Sequence, residues 1–110
     1  LAGKRRGQVM AAYWIAHVTV TDPEAYKGYQ ALAPAAFATH GARFLARGGQ
    51  ADVLEGPAMD RHVVIEFPSL QAARDCYHSP AYARCIALRS GKSVMDLSII
   101  EGYGGPQPQD

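Results

Sequence analysis

Four histidines (His17, His40, His62, His78) and two cysteines (Cys76, Cys85) are the residues of this 110-residue chain best suited to metal or nucleophilic chemistry. Their spacing argues against both. No two histidines stand as H-x-H, H-x-x-x-H or H-E-x-x-H, and the cysteines lack zinc-ligand spacing. His40, His62 and His78 read as surface or helix-end residues. The cysteines lie nine positions apart, which turns a continuous helix by roughly 180° beyond whole turns, so they face opposite sides unless the helix breaks. They read as small buried hydrophobes in reduced form. No G-x-G-x-x-G, Walker loop or G-x-S-x-G is present. What remains is a mixed polar set: Tyr13, His17, Arg43, Arg47 and Glu66, with Tyr29 nearby in sequence. An imidazole oriented by a carboxylate is a general base, which makes His17 and Glu66 the candidate catalytic pair. Arg43 and Arg47 suit a substrate carboxylate or developing enolate, and Tyr13 and Tyr29 could position a ring or donate a proton. The alternative is an Arg47–Glu66 salt bridge that only fixes an interface register.

The elements that must position this set follow from local pattern. Residues 12–20 are aromatic and β-branched without a breaker, a strand. Asp22-Pro23-Glu24 then opens a helix: a capping carboxylate, a proline at the first position, and an acid at the positive end of the dipole. Tyr26, Tyr29, Ala33 and Phe37 recur at helical spacing up to His40-Gly41, and Pro34 predicts a kink. Residues 42–47 form a second strand. The Gly48-Gly49 pair reads as a bulge within a longer strand that continues through 50–55. A turn at 56–60 returns the chain as an antiparallel partner over 61–67. Pro68-Ser69 caps a helix at 70–78, Ser79-Pro80 caps a second segment at 81–90, and Gly91 ends it. Residues 93–101 form the last strand. Tyr77, Tyr82 and Arg84, around the helix break, are expected to pack the helix on the sheet or meet a partner chain.

The order β-α-β-β-α-β is that of an α+β, ferredoxin-like four-stranded antiparallel sheet with its helices on one face. Strand parity then exposes a problem. Trp14, Ala16, Val18 and Val20 face the helices, as do Val63, Ile65, Phe67, Met95, Leu97 and Ile99. The other face carries Tyr13, Ile15, His17 and Thr19, His62, Val64 and Glu66, and Asp96, Ser98 and Ile100. At ~25 cal/mol per Å2, leaving Tyr13, Ile15, Val64 and Ile100 in water forfeits several kcal/mol, a large share of a small domain's stability. A second copy packed sheet to sheet removes that loss and encloses a pocket, so a homodimer is expected. Arg43, Leu45 and Arg47 share one side of their strand by parity, and that side is expected to face the pocket.

Bulk properties limit the partners. Eleven Lys and Arg face ten Asp and Glu, but three of the basic residues lie in 1–9, leaving eight against ten, a net of −2, in the remainder. No basic patch for nucleic acid is expected. No apolar run approaches the ~20 residues of a membrane span, and no secretory signal is apparent, so a cytoplasmic protein without nucleic-acid or membrane partners is expected. Met10 reads as the natural start. Residues 1–9 are then a leader or added extension, residues 10–103 one domain, and residues 104–110 a polar tail, both ends being expected to be disordered.

Several ordered stretches resemble one family. Met10-Ala-Ala-Tyr-Trp-Ile, Val20-Thr-Asp-Pro-Glu-Ala-Tyr26, Gly41-Ala-Arg-Phe-Leu-Ala-Arg-Gly-Gly49, Val63-Val-Ile-Glu-Phe-Pro-Ser69, Ser79-Pro-Ala-Tyr82 and Glu101-Gly102 are similar to the bacterial domain-of-unknown-function family numbered 1330, over about residues 10–103. The resemblance implies a dimeric α+β barrel, a superfamily that holds cofactor-independent monooxygenases, lactone isomerases, haem-degrading enzymes and ligand-sensing domains. Such breadth transmits no single activity. Two expectations follow. One is an enzyme needing no metal or organic cofactor, acting on a small carbonyl-bearing or aromatic molecule in the pocket between the sheets. The other is a non-catalytic small-ligand binding or interaction module.

Overall fold

The computed structural model of the chain describes residues 10–109, and the expected leader at 1–9 lies outside them. Its elements are β1 (Ala12–Val20), α1 (Pro23–Thr39), β2 (Arg43–Arg47), β3 (Arg61–Phe67), α2 (Leu70–Tyr77), α3 (Pro80–Arg89) and β4 (Ser93–Glu101). The four strands form one antiparallel sheet in the order β2-β3-β1-β4. The ferredoxin-like arrangement is therefore the observed one, with β1 and β3 central and β2 and β4 at the edges.

Local chemistry explains the boundaries. Asp22 Oδ1 accepts from the Ala25 amide at 3.1 Å, capping α1, which runs through Pro34 to Thr39. Gly41, at φ 73°, takes the left-handed conformation that turns the chain into β2. Ser69 Oγ accepts from the Ala72 amide at the start of α2. Ser79 has two tasks: its hydroxyl accepts from the Tyr82 amide at 3.1 Å, capping α3, and donates to the Cys76 carbonyl at 2.7 Å, closing α2. The break at Ser79-Pro80 reorients the chain, so Cys76 and Cys85 both reach the core as free thiols.

The core lies between the helices and one face of the sheet. Trp14 anchors it, with Tyr82 at 5.0 Å and Phe37 at 5.2 Å edge-on and Phe67 stacked at 5.7 Å between ring centroids. Aromatic pairs of this geometry add to the burial of their apolar area. Ala12, Trp14, Ala16, Val18, Ile65 and Phe67 are all buried, in agreement with the parity of β1 and β3.

Two expectations about β2 fail. Residues 50–55 do not continue the strand. The last ladder bond is donated by the Gly48 amide to the His62 carbonyl, and β3 begins at Arg61, so later residues have no strand to pair with. Gly48, at φ 68°, turns the chain out of the sheet into an irregular loop over 48–60. Nor do Arg43 and Arg47 share a face. Phe44 pairs with Ile65 and Ala46 with Val64, so Leu45 is the extra residue of a β-bulge. The bulge inverts the alternation: Arg43, opposite Glu66, faces away from the helices, whereas Arg47, opposite Val63, faces them.

Candidate functional site

The face of the sheet turned away from the helices is uncovered in the single chain. His17 on β1 and His62 on β3 stand directly opposite each other there, with Nδ1 to Nδ1 at 2.8 Å and ring centroids 5.0 Å apart. Asp96 on β4 is His17's neighbour on the other side. Three strands thus place two imidazoles and a carboxylate in one cross-strand row, where side chains directly opposite lie within about 5 Å of each other. The loop after Gly48 folds toward this row, and Val53, Leu54, Pro57 and Met59, with the carboxylates Asp52 and Glu55, join the histidines and Asp96 around an open cleft of about 410 Å3.

The 2.8 Å contact sets the chemistry available. One Nδ1 must carry a hydrogen and the other must offer a lone pair, so the rings share a proton in complementary tautomers. One neutral imidazole is thereby held with a ring nitrogen free to accept a proton, its partner hydrogen-bonded to it and Asp96 next to His17 across the β1–β4 pairing.

The expected site residues fall into three groups. His17 belongs to the cleft, but Glu66 does not adjoin it. Glu66 pairs with Tyr13, four residues away along β1, or roughly 13 Å at ~3.3 Å per residue. Glu66 instead accepts from Arg43 Nε at 2.8 Å, so the salt bridge expected between Arg47 and Glu66 forms with Arg43. Both partners are solvent-accessible, and such a pair contributes at most about 1 kcal/mol. Tyr13, Arg43 and Glu66 form a second polar cluster at the far end of the open face.

Tyr29 and Arg47 make the third group, on the helix side. They line a narrow apolar cavity of about 40 Å3 between α1 and the sheet. The Arg47 guanidinium lies 4.4 Å from the Phe44 ring centroid. Tyr29 is buried, its hydroxyl 2.7 Å from that of Tyr82, and burial raises the pKa of both phenols. Tyr77 and Tyr82 pack against Trp14, as expected for residues around the helix break.

His62, Asp96 and the loop over 51–59 were not legible as site residues in the sequence. The signal was parity, since His62 shares a face with Val64 and Glu66. Which residue of β1 it meets depends on a register that neither strand states.

Residues 11–103 match the family described as a domain of unknown function (DUF1330). The chain belongs to the DUF1330 family. No match is found among curated proteins. Among solved structures, this DUF1330 chain is similar to a protein of unknown function from Rhodopseudomonas palustris, with a TM-score of 0.70 and 19% identity, covering 86% of this chain and 83% of that one. It is also similar to SnoaB from Streptomyces nogalater, described as a cofactor-independent oxygenase, with a TM-score of 0.59 and 16% identity over 91% and 99% of the two chains. A third is a protein of unknown function from Thermobifida fusca, described as dimeric and ferredoxin-like, with a TM-score of 0.51 and 16% identity over 87% and 92%. At these identities the likeness establishes the fold of the DUF1330 chain and nothing finer. Among the described residues, no helix is long and apolar enough to cross a membrane.

Proposed function

We propose that the DUF1330 chain works as a homodimer joined through its open sheet faces, and that the His17–His62 pair is a proton-transfer centre for a small carbonyl-bearing or aromatic molecule, without a metal or organic cofactor. The 2.8 Å Nδ1–Nδ1 contact beside a cleft with one apolar side is the observation that carries this reading. The neutral imidazole removes a proton from carbon next to a carbonyl, or from a phenol, and the resulting enolate or phenolate stays in the cleft. Asp96 offsets the positive charge on the imidazole pair. Val53, Leu54, Pro57 and Met59 supply the apolar contacts that a small ketone or ring requires. The Arg43–Glu66 pair and Tyr13, farther along the same face, border the partner copy. The descriptions of similar folds as dimeric, and of SnoaB as a cofactor-independent oxygenase, accord with both halves of the proposal.

Deuterium wash-in tests it. An aryl ketone such as 2-tetralone is incubated with the protein in heavy water and followed by NMR. Exchange at the carbon next to the carbonyl is expected to exceed the buffer rate. It is expected to fall by about 10²-fold or more in both His17→Ala and His62→Ala, the usual scale of a lost general base. Glu66→Gln is expected to retain it. Exchange undiminished in either histidine variant contradicts the assignment. Saturable binding of the ketone with no exchange supports the non-catalytic binding module instead.

A further inference from the structure

We infer that a second site, on the helix side of β4, binds a compact organic carboxylate with an apolar body. An open cleft of about 370 Å3 lies there, between the last turns of α2 and α3 and the edge strand. Met95, Leu97 and Ile99 of β4, with the Tyr77 ring, give it an apolar wall. Its charged groups are all of one kind: Arg74 and Arg89 reach it from two different helices, His78 and Ser98 are the other polar residues around it, and no carboxylate lines it.

Arg89 is the informative member. Its guanidinium carbon lies 5.6 Å from the Tyr29 ring centroid and 5.9 Å from that of Tyr82, whose hydroxyl is its hydrogen-bonding neighbour, and its Nε is buried without a hydrogen-bond partner. Buried charges are ordinarily paired, because withdrawing an ion from water is expensive unless an opposite charge or several hydrogen bonds replace the lost hydration. Among the described residues, no ion pair joins Arg89 or Arg74 to a carboxylate; the two salt bridges are Lys27–Glu24 and Arg43–Glu66. Asp75, adjacent in sequence to Arg74, accepts from the Gln71 side chain. A half-buried guanidinium flanked by two tyrosine rings, with a second, exposed one at the rim, is suited to a planar carboxylate, which it can bind through two parallel hydrogen bonds. The apolar wall selects for a carboxylate carrying a hydrophobic body over a bare anion. This site is separate from the His17–His62 cleft, since Met95, Leu97 and Ile99 lie on the opposite face of the sheet.

Benzoate titrated into the full chain, followed by amide NMR, tests this directly. Saturable shifts are expected at Tyr77, His78 and Leu97. Arg74→Gln is expected to weaken binding at least tenfold, and Arg89→Gln to abolish it. Benzyl alcohol, which lacks the charge, and inorganic phosphate, which lacks the apolar body, are expected not to saturate at the same concentrations. The inference is overturned if benzoate gives no saturable shifts there, if benzyl alcohol or phosphate binds as well as benzoate, or if folded Arg74→Gln binds benzoate unchanged. Arg89 packs against the core, so Arg74→Gln and the two control compounds decide the matter should Arg89→Gln fail to fold.

Discussion

Two imidazole nitrogens at 2.8 Å cannot both carry a proton, and that constraint gives His17 and His62 a joint identity. Residues acting as a unit lose function together, so the double alanine variant is expected to fall no further in deuterium wash-in than either single one. The buried thiols and phenols provide a separate test at the same scale. Burial pushes the Cys76 thiol up from 9.0 to about 11, with nearby Cys85 adding to the effect, and burial likewise raises Tyr29 from 10.0. A group whose pKa is higher folded than unfolded stabilises the fold fully below the unfolded value and loses that contribution as the pH climbs through the folded one. Urea midpoints are therefore expected to be flat to about pH 8 and to decline between about pH 9 and 11, with a shallower decline in Cys76→Ala. An unchanged midpoint across that window would contradict the burial of both groups. Strand parity alone places His17 on the bare face, as the structure has it. The expected pairing with Glu66 fails because the β1–β3 register sets His62, read from sequence as a surface residue, opposite His17.

Elements follow sequence closely where a capping or turn residue marks the boundary, and poorly where only a pattern extends. Asp22-Pro23, Ser69 and Ser79-Pro80 each begin a helix, and the expected last strand coincides with Ser93–Glu101. Ser79 does most at one position, capping α3 through the Tyr82 amide while closing α2 through the Cys76 carbonyl. Ser79→Ala is expected to lower stability by about 1–2 kcal/mol, read as a shifted urea midpoint, with the Trp14 cluster packing retained in the folded state. A shift near zero would mean that Pro80 alone sets the start of α3. The β2 region shows the opposite case. Strict alternation placed Arg43, Leu45 and Arg47 on one face, but one extra residue at Leu45 carried Arg47 across the sheet. Bulges leave no composition signal, and the Gly48-Gly49 pair that looked like one marks the strand's end. Gly48 is constrained by its positive φ of 68°, since the Arg61 guanidinium beside it is the mobile end of a long side chain.

At the scale of the whole molecule, the sheet has a covered face and a bare one. Ile100 and Val94 are 57% and 59% exposed on the bare face, and Leu54, on the loop that borders the histidine cleft, is 88% exposed. Apolar surface of this extent next to the His17–His62 pair is what a second copy would cover, and covering it would also exclude water from the cleft. The alternating pattern of the strands made this face legible from sequence, whereas its chemistry emerged only once three strands were in register. Sedimentation equilibrium of the chain at micromolar concentration tests the central claim most directly. The expected species has twice the 11.8 kDa chain mass and dissociates when Ile15, near the centre of the bare face, is replaced by Glu. A stable, folded single chain under those conditions would contradict the account.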